Sequence, residues 1–381
     1  MKILVLTQYF YPHTGGSQEY ILELYKEVIK QDPATSVDVV CYNTDGAALE
    51  ESIGGLTIYR IPCLELLPGQ FSLPNPVALF KVFQKLKQKN GSYDIVNSHT
   101  RFFDNSWYAP LVAKYFSAKS VLTDHCASHP VHQNILVNGF VQMLDAVLAK
   151  IIPMIYNSVT SVSQATSDFL IISGYKHFIP VFYSGVNEAF LKNSHSKLPI
   201  SIPAGKTVIS FVGRMIASKN PELALQVAET ISKKYPHVLF VFAGDGPALA
   251  RLKRSTTKHI QFVGKLNRAQ TAALLQKTDI LLHPSVHHEG LPITLLEAGF
   301  SKVAVIASNA GATSEVVTNN HSGLIVTPTV TDMIAATEKL IANIKLRKQL
   351  GEKLYRHVSS HFHWSQTAKK YRAFLHSIIA Q

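Results

Sequence analysis

The sequence predicts an α/β fold with two doubly wound parallel-sheet domains that face each other across a cleft. Three observations predict it. The chain has 381 residues, which is too long for one compact core and favours two domains. Short β-rich runs alternate with amphipathic helical patterns in both halves, as in parallel sheets covered by helices. A stretch rich in Ser, Pro and Lys, Lys192–Gly205, interrupts this alternation and is typical of an interdomain linker.

The first domain is predicted to span residues 1–190. It opens with a buried strand, Lys2–Thr7, and an amphipathic helix, Ser17–Gln31, that Ser17 could cap. Further strands are predicted at Val37–Tyr42, Leu56–Arg60, Ile95–Ser98, Ser120–Thr123, Ser158–Val162 and Ile179–Phe182. Helices are predicted between most of them, at Val77–Lys89, Asn105–Phe116, Ile135–Tyr156 and Gln164–Ser173.

The second domain is predicted to span residues 191–363, because the alternation restarts after the linker. Its predicted strands are Val208–Val212, Val238–Ala243, Ile260–Val263, Ile280–His283, Val303–Ala307 and Leu324–Val326. Its predicted helices are Pro221–Lys234, Pro247–Lys253, Asn267–Gln276, Thr294–Ser301 and Thr331–Leu350. The tail, Trp364–Ile379, is one more amphipathic helix. Ligands of such folds usually bind at the carboxyl ends of the strands.

Composition limits the class of protein. Apolar residues make up 46% of the chain and charged residues 16%, as in ordinary globular domains. No apolar run approaches the roughly 20 residues that span a bilayer, and the apolar start Met1–Leu6 lacks the cleavage pattern of a signal peptide. Cys41, Cys63 and Cys126 show no CxxC spacing, which favours a reducing, cytoplasmic location over a disulfide framework or a zinc site.

The positive charge is concentrated in the second half. The net charge is +12, but residues 1–190 hold 13 Lys and Arg against 15 Asp and Glu, a net charge of −2, which leaves +14 for the rest. Such a bias can attract nucleotides, nucleic acid or anionic lipid. We interpret most of these cations as a solvated face, and the absence of basic stripes interleaved with aromatic residues argues against a nucleic-acid partner.

The most informative motif is a pair of glutamates, Glu289 and Glu297, eight positions apart. The first lies in a Gly-Pro loop and the second on the following helix, a little over two turns on, so it can point back toward the loop. Pro292 needs no hydrogen-bond partner at a helix start, and the N–H groups of Ile293 and Thr294 could bind a phosphate there. A nucleotide-sugar, with phosphates between two hydroxyl-bearing sugars, would suit this motif. The alternative is a surface acid beside a helix acid.

Two cations follow a predicted buried strand. Gly213 and Arg214 end Val208–Val212, and Lys219 follows five residues later. Cations at the carboxyl end of a strand suit a diphosphate, and arginine can bind two oxygens at once. Exposed loop cations would be the alternative, but their position favours a functional role.

A pair of glycines, Gly15 and Gly16, follows the first strand and would let the backbone approach a ligand at a helix start. The motif lacks the pattern of a dinucleotide fold or a P-loop, so a plain strand–helix turn explains it equally well.

A histidine, His125, ends the strand Ser120–Thr123 and could bind a sugar hydroxyl or carry a proton. His99 ends another strand and is a weaker candidate. His283, His287 and His288 cluster near Glu289, but they lack metal-ligand spacing, and we predict no metal site.

Two helical segments raise the question of membrane contact. Val77–Lys89 and the unusually apolar Ile135–Tyr156 have the composition of interfacial helices. A core helix with a charged outer face has the same pattern, and we favour it here, although peripheral membrane contact stays open.

These motifs together resemble a family. The chain is similar to retaining glycosyltransferases of the GT-B fold, family 4 (glycosyltransferase group 1 type), in which two Rossmann-like domains face a cleft. The resemblance is strongest over 208–326 and rests on motif order: Phe211–Arg214 with Lys219, Phe242–Pro247, Phe262–Gly264, Glu289–Glu297, Gly311, Ser314–Val317 and Gly323–Leu324. The first half matches through Tyr11–Pro12, Gly15–Gly16, Thr123–His125, Ser161–Ser163 and Gly185–Asn187. The helix from Trp364 resembles the segment, here 364–381, that crosses back onto the first domain.

The resemblance implies a role for each matched position. Glu297 would bind the ribose hydroxyls of the donor and Glu289 the hydroxyls of the transferred sugar, while Arg214 and Lys219 neutralise the diphosphate. His125 would contact the sugar near the reacting carbon. The implied catalytic residues are His125, Glu289, Arg214 and Lys219, and the implied donor-binding residues are Gly15, Gly16, Gly213, Arg214, Lys219, Gly264, Leu266, Glu289, Gly290, Leu291, Ile293, Thr294 and Glu297.

The implied reaction moves a sugar from a UDP- or GDP-sugar to an acceptor hydroxyl with retention of anomeric configuration. Cations and a helix N-terminus would stabilise the charge that grows on the departing phosphate, so neither a metal nor another cofactor is expected. The acceptor would be a glycan, a lipid-linked glycan or a small molecule, and the enzyme would lie in the cytoplasm or at the inner face of the membrane.

Three alternatives stay open at this point. A nucleotide-sugar epimerase can share the architecture and needs no acceptor. A glycoside hydrolase uses two carboxylates about 5–10 Å apart, but it would leave Arg214 and Lys219 unexplained. A non-enzymatic binder of anionic ligands would explain the charge of the second half, but not the ordered glycines and acids.

Overall fold

The computed structural model describes residues 1–67, 71–131, 134–186 and 196–381. These form two compact units, one built from Met1–Ser184 and Trp364–Gln381 and the other from Gly185–His363. The predicted boundary at residue 190 lies outside the described residues, as do Asn187 and the start of the predicted linker, Lys192–Gly205.

The first unit is an α/β layer structure around one mixed sheet. Its strands are β1 Lys2–Leu6, β2 Ser36–Tyr42, β3 Glu50–Ile53, β4 Leu56–Ile61, β5 Cys63–Leu67, β6 Phe71–Pro74, β7 Ile95–His99, β8 Lys119–Asp124 and β9 Ser158–Ser161. Its helices are α1 Gly16–Gln31, α2 Pro76–Asn90, α3 Asn105–Tyr115, α4 Ile135–Ile151 and α5 Gln164–Ile172, with a 3-10 turn at Ile152–Ile155.

The main sheet of the first unit has the order β3-β4-β2-β1-β7-β8-β9 and is parallel except for β3. Leu4 and Leu6 enter a core with side chains of α2, α3 and α5, while the alternate residues Ile3 and Val5 are equally buried. Both faces of β1 are therefore covered, as in α/β proteins with helices on both sides.

The second unit contains a fully parallel six-stranded sheet. Its strands are β10 Thr207–Val212, β11 Val238–Ala243, β12 Ile260–Gly264, β13 Ile280–His283, β14 Ala304–Ser308 and β15 Leu324–Val326, in the order β12-β11-β10-β13-β14-β15. Its helices are α6 Pro221–Lys234, α7 Leu249–Leu252, α8 Arg268–Leu275, α9 Ile293–Phe300, α10 Thr313–Val316, α11 Val330–Ala342 and α12 Ile344–His361, with 3-10 turns at Ala217–Lys219 and Lys253–Ser255. The predicted α/β class with two parallel-sheet domains is confirmed.

The last helix, α13 Trp364–Ile379, belongs to the first unit. It packs against α1, where the Tyr371 hydroxyl lies 3.3 Å from that of Tyr25 and the Trp364 ring makes an edge contact with Tyr20. Tyr371 and Trp364 are buried, so this helix completes the hydrophobic core on that face.

Several local predictions were wrong. Ile179–Phe182 is not a strand, because only Val181 pairs, through a single bridge to Ser161. Ser17 does not cap α1, since the helix begins at Gly16 after the extended residue Gly15. The strands β3, β5 and β6 were not predicted.

The predicted helix Thr331–Leu350 is two helices. Asn343 ends α11, and its side-chain oxygen accepts a hydrogen bond from the N–H of Leu346 to cap α12. Asparagine favours such a cap over a place inside a helix, and the periodicity runs on through the break.

The described part of the predicted linker, 196–205, belongs to the second unit. Leu198, Ile200 and Ile202 pack against a cluster formed by β10 and β11. This part of the linker is therefore a packed segment without regular secondary structure.

The interpretation of Ile135–Tyr156 as a core helix with a charged outer face is also wrong. Most of its large apolar side chains are exposed, with Leu136 82% and Met143 62% accessible. Its buried side instead carries Asp145, which is fully inaccessible.

Candidate functional site

The two central strands of the second sheet define a crevice in its topology. From β10 the chain moves outward to β11 and β12, and then returns to place β13 on the other side of β10. The carboxyl ends of β10 and β13 therefore flank a topological switch point, where ligands of open α/β sheets bind. Gly213 and Arg214 follow β10, and the loop that carries Glu289 follows β13.

The carboxylate of Glu289 is held by three neighbours. Its Oε1 accepts a hydrogen bond from Ser285 Oγ at 2.6 Å and lies 3.3 Å from His283 Nε2. Its Oε2 accepts a hydrogen bond from the ammonium of Lys219. The side chain is 18% accessible, so the structure brings Lys219 and Glu289 together in a partly buried ion pair.

Glu289 is ionised at neutral pH. Burial raises its pKa, but the Lys219 ammonium and then His283 outweigh burial and hold the pKa well below its ordinary value. A negative, oriented carboxylate at this position can accept hydrogen bonds from sugar hydroxyls.

Backbone contacts fix the loop of Lys219 against the loop of Glu289. The carbonyl of Ser218 accepts hydrogen bonds from Ser285 Oγ at 3.1 Å and from the N–H of Val286 at 2.9 Å. Gly311 lies against the Glu289 backbone, where an added Cβ would fall 2.1 Å from the Glu289 oxygen, and its φ of +56° favours glycine. The ion pair is therefore positioned by its loops.

The helix after Glu289 presents free N–H groups. Helix α9 begins at Ile293, after buried Pro292, and the first backbone hydrogen bond of this turn is from Leu295 to Pro292. Within the described chain, neither Ile293 nor Thr294 uses its N–H in a hydrogen bond. These N–H groups lie at the positive end of the helix dipole and can bind an anion.

Glu297 lies on the same helix, within one turn of its end, and is half-buried. Burial raises its pKa to about 7, and Arg268 only partly offsets this. Its side chain makes no hydrogen bond to another described residue. A buried carboxylate without a partner is costly unless a ligand satisfies it.

Glycines let three strand ends lie close together. An added Cβ on Gly244 would fall 1.8 Å from the carbonyl oxygen of Gly213, and the φ of Gly244 is +145°. The N–H of Gly244 donates to the carbonyl of Gly264. The predicted residues Gly213 and Gly264 thus lie along one edge of the sheet with a glycine between them, where a side chain would not fit.

The remaining predicted donor residues differ in their surroundings. Arg214 is exposed and forms no ion pair with any described residue. Gly290 is buried and Leu291 half-buried. Leu266 packs against the cluster of Val208 and Leu239, so its side chain contributes to the core.

In the first unit, His125 is paired with His99. His125 Nε2 lies 2.9 Å from His99 Nδ1, and the His125 N–H donates to Asp124 Oδ1. Burial lowers the pKa of His125 to about 4 and that of His99 well below its ordinary value, so both rings are neutral at pH 7. Tyr20 packs edge-on against His125, and the sequence reasoning did not predict that the two histidines meet.

Arg101 is a buried residue that the sequence reasoning missed. It is fully inaccessible and binds Asp124 through Nη1 and Asp145 through Nη2, the latter at 2.9 Å. It also donates to the carbonyls of Cys126 and Ser128. Its only signal in the sequence is a cation directly after a strand, while its partners are 23 and 44 residues away.

Gly15 and Gly16 lie at the start of α1, after the loop that follows β1. Both are exposed, and the N–H of Glu19 donates to the Gly15 carbonyl to open the helix. An added Cβ on Gly15 would fall 2.6 Å from Gln18 Oε1, which is the end of a flexible side chain. This geometry is compatible with either prediction for the motif, a ligand contact or a plain turn.

Two family models match the chain, one in each half. The model described as Glycosyltransferase Family 4 matches residues 14–190, and the model described as Glycosyl transferases group 1 matches residues 195–357.

Relatives are similar over the full chain. An uncharacterized glycosyltransferase of Methanocaldococcus jannaschii is 24% identical and covers 100% of this chain and 99% of its own length. A phosphatidylinositol N-acetylglucosaminyltransferase of Arabidopsis thaliana is 23% identical over 97% of this chain and 80% of its own.

Solved structures share the fold. A sucrose-phosphate synthase from Thermosynechococcus elongatus has a TM-score of 0.78 at 17% identity, with 100% of this chain and 99% of that chain covered. HepE of Anabaena in complex with UDP-glucose has a TM-score of 0.73 at 16% identity, with 99% and 100% covered.

Proposed function

Since the chain belongs to the group 1 glycosyltransferases of the GT-B fold, we propose that it transfers a sugar from a nucleoside-diphosphate sugar to an acceptor hydroxyl. The observation that carries the proposal is the oriented Glu289–Lys219 pair beside the free start of α9, at the switch point of the second sheet. The complex of the similarly folded HepE with UDP-glucose supports the donor class. The family does not favour an epimerase, a hydrolase or a non-enzymatic binder.

The diphosphate is assigned to the positive groups of the second unit. Arg214, which has no ion-pair partner in the described chain, would bind two phosphate oxygens, and Lys219 would share its ammonium between Glu289 and the phosphate. The N–H groups of Ile293 and Thr294 would bind the same group. These fixed positive charges would stabilise the departing nucleoside diphosphate, and we propose that the reaction needs no metal ion.

The two glutamates are assigned to the two sugars of the donor. Glu289 is ionised and fixed by Ser285, as a group that accepts hydrogen bonds from the transferred sugar should be. Glu297 lacks a partner among the described residues, and the ribose diol would supply two donors for it. Binding would then stabilise the ionised form of Glu297 and lower its raised pKa.

His125 is assigned to the sugar near the reacting carbon. A proton on His99 Nδ1 would be donated to His125 Nε2, and the neutral His125 ring would then carry its own proton on Nδ1. That N–H could donate to a sugar hydroxyl. A neutral ring also avoids placing a positive charge beside the oxocarbenium-like centre.

We propose retention of anomeric configuration by front-face attack. The leaving diphosphate would accept the proton of the acceptor hydroxyl as the new glycosidic bond forms on the same face, so no enzyme nucleophile is needed. The acceptor is proposed to be a glycan or a glycolipid precursor, a choice supported by the phosphatidylinositol N-acetylglucosaminyltransferase among the relatives. A location on the cytoplasmic side is consistent with three free cysteines.

The donor site is tested by thermal denaturation with UDP, GDP, ADP and their sugar conjugates, with and without EDTA. A ligand that binds the native state raises the melting temperature by mass action. We expect one nucleotide family to raise it in the wild type, with EDTA present or absent, and not in Glu297→Ala or Arg214→Ala.

Matched controls for this experiment are Glu229→Ala and Arg254→Ala, which remove exposed residues of the same charge in the same unit. Both should keep the full shift. No shift with any nucleotide in the folded wild type, or equal shifts in all four variants, would overturn the assignment of the donor site.

A further inference from the structure

Helix α4 of the first unit exposes a continuous apolar surface. Along its 17 residues and the 3-10 turn that follows, the exposed large side chains are Ile135, Leu136, Phe140, Met143, Val147, Ile151, Met154 and Ile155. Ile135–Ile155 is long and apolar enough to cross a membrane, yet only 17% of its most apolar window is buried. A soluble helix normally turns such a surface toward the core.

The opposite side of the same helix is fastened to the protein along its length. Asp145 binds the buried guanidinium of Arg101, and Leu148 packs against the main core of the first unit. Ile152 of the following 3-10 turn lies in that core as well. A helix held at these three positions cannot cross a bilayer without breaking a buried ion pair, whereas it can lie flat on one.

The apolar surface continues onto the end of α5. Gly174 lies next to the Lys150 side chain, with about 3.7 Å between the Lys150 Cγ and an added Cβ. The neighbouring residues Ile172 and Phe178 are 85% and 86% exposed. We name these residues together with the exposed side chains of α4 the α4 face.

Charge at the border of the α4 face is mainly positive. Lys150 and Lys176 are exposed at this border, and the one exposed acid between residues 134 and 178 is Asp168, which accepts a hydrogen bond from Gln164. Lysines with apolar neighbours suit the phosphate level of an anionic lipid surface, where the ammonium stays in water and the stem lies against acyl chains.

We propose that the α4 face binds the surface of an anionic phospholipid bilayer. Apolar side chains would enter the boundary between headgroups and acyl chains, while Lys150 and Lys176 contact lipid phosphates. A second copy of this chain fits less well, because a two-fold interface would place the same two lysines against a surface that offers one acid.

This location deepens the proposed transfer reaction and rests on it. Helix α4 begins after Asn134, nine residues beyond His125, at the carboxyl edge of the first sheet. The apolar surface thus starts at the edge that carries the proposed catalytic histidine. An acceptor hydroxyl presented by a lipid headgroup would reach this edge from the bilayer surface, so the acceptor is lipid-borne.

The test is flotation of the purified full chain with vesicles of phosphatidylcholine, with and without phosphatidylglycerol. We expect the wild type to float with the anionic vesicles, and Phe140→Gln/Met143→Gln to lose more than tenfold of this binding. The control Leu49→Gln/Ile344→Gln removes two equally exposed apolar side chains elsewhere and should float like the wild type.

A spectroscopic measurement keeps the proposal testable if the double variant fails to fold. The added tryptophan in Phe140→Trp should shift its emission to the blue on addition of anionic vesicles and be quenched by brominated acyl chains, while Ile344→Trp should show neither change. No flotation of the folded wild type, or a dimer in sedimentation that Phe140→Gln/Met143→Gln dissociates, would overturn the proposal. Because no donor is present, binding of vesicles succeeds or fails independently of the glycosyltransferase activity.

Discussion

At the scale of single residues, the acids of the candidate donor site follow opposite electrostatic rules. Glu289 has a cation within hydrogen-bond distance and its pKa is lowered, whereas Glu297 is buried without a partner in the described chain and its pKa is raised to about 7. An unoccupied site therefore holds one satisfied and one unsatisfied carboxylate. Sites that bind ligands commonly carry such a cost until the ligand is present.

The cost at Glu297 predicts a stabilising substitution. The folded state keeps the proton of Glu297 up to about pH 7, while the unfolded state releases it near 4.5, so stability falls as pH rises through this window. Glu297→Gln removes the ionisation and should raise the free energy of unfolding at pH 8 by on the order of 1–3 kcal/mol. At pH 5 we expect little difference.

Thermal denaturation at both pH values measures this effect. Glu229→Gln is the control, because that acid is exposed on α6 and should show no pH-dependent gain. A Glu297→Gln protein that is less stable than wild type at pH 8 would show that the carboxylate has a partner in the free protein. The same variant should bind the donor poorly, since a carboxamide accepts fewer hydrogen bonds.

Sequence reasoning at this scale identified residues whose role is local. The pair Glu289 and Glu297 lies within one loop and one helix, so spacing alone indicated it. Ser285 as a partner of Glu289, and His99 as a partner of His125, depend on which strands are neighbours in the sheet. A pattern of residue types in one chain does not specify those contacts.

At the scale of elements, strands that alternate with helices were predicted well because each is buried on both faces and reads as an apolar run. The hairpin β5–β6 was missed because its apolar residues are exposed, as in Leu64 at 65%, and its strands are short. The orientation of α4 was wrong for a related reason, since periodicity shows that a helix has an apolar side but not which surface covers it.

Arg101 joins the ends of two strands to α4, and removing it should weaken all three. Arg101→Met leaves Asp124 and Asp145 buried without their cation, and we expect the free energy of unfolding to fall by about 3–5 kcal/mol. Urea denaturation measures the loss.

Arg254→Met, at an exposed position, serves as the control and should change stability by no more than about 0.5 kcal/mol. Adding Asp145→Asn to Arg101→Met should recover part of the loss, because one buried charge is then removed. Wild-type stability in Arg101→Met would mean that the two acids are protonated or hydrated instead of paired.

At the scale of the whole molecule, the two-domain organisation followed from length and from the restart of the strand–helix alternation. What the pattern could not show is how the tail contributes: α13 supplies the fully buried Tyr371, which contacts Tyr25 and Phe182 in the first unit. The family resemblance, and not the periodicity, implied this return of the chain.

Removal of residues 364–381 should therefore destabilise the first unit selectively. Hydrogen exchange of the truncated protein should show loss of amide protection in α1 and β1, while β10 and β11, which have their own core cluster, stay protected. Lys369→Ala/Lys370→Ala, which changes only exposed residues of α13, is the control. Unchanged protection of α1 after truncation would contradict the assignment of the tail.

The place of α13 also bears on how the protein is made. The first unit begins at Met1 but needs residues up to Ile378 to cover α1, so the ribosome releases nearly the whole polypeptide before that unit can close. The intervening second unit consists of one continuous stretch and can complete its sheet earlier. During synthesis the usual order is reversed, and the half that emerges first is the half that matures last.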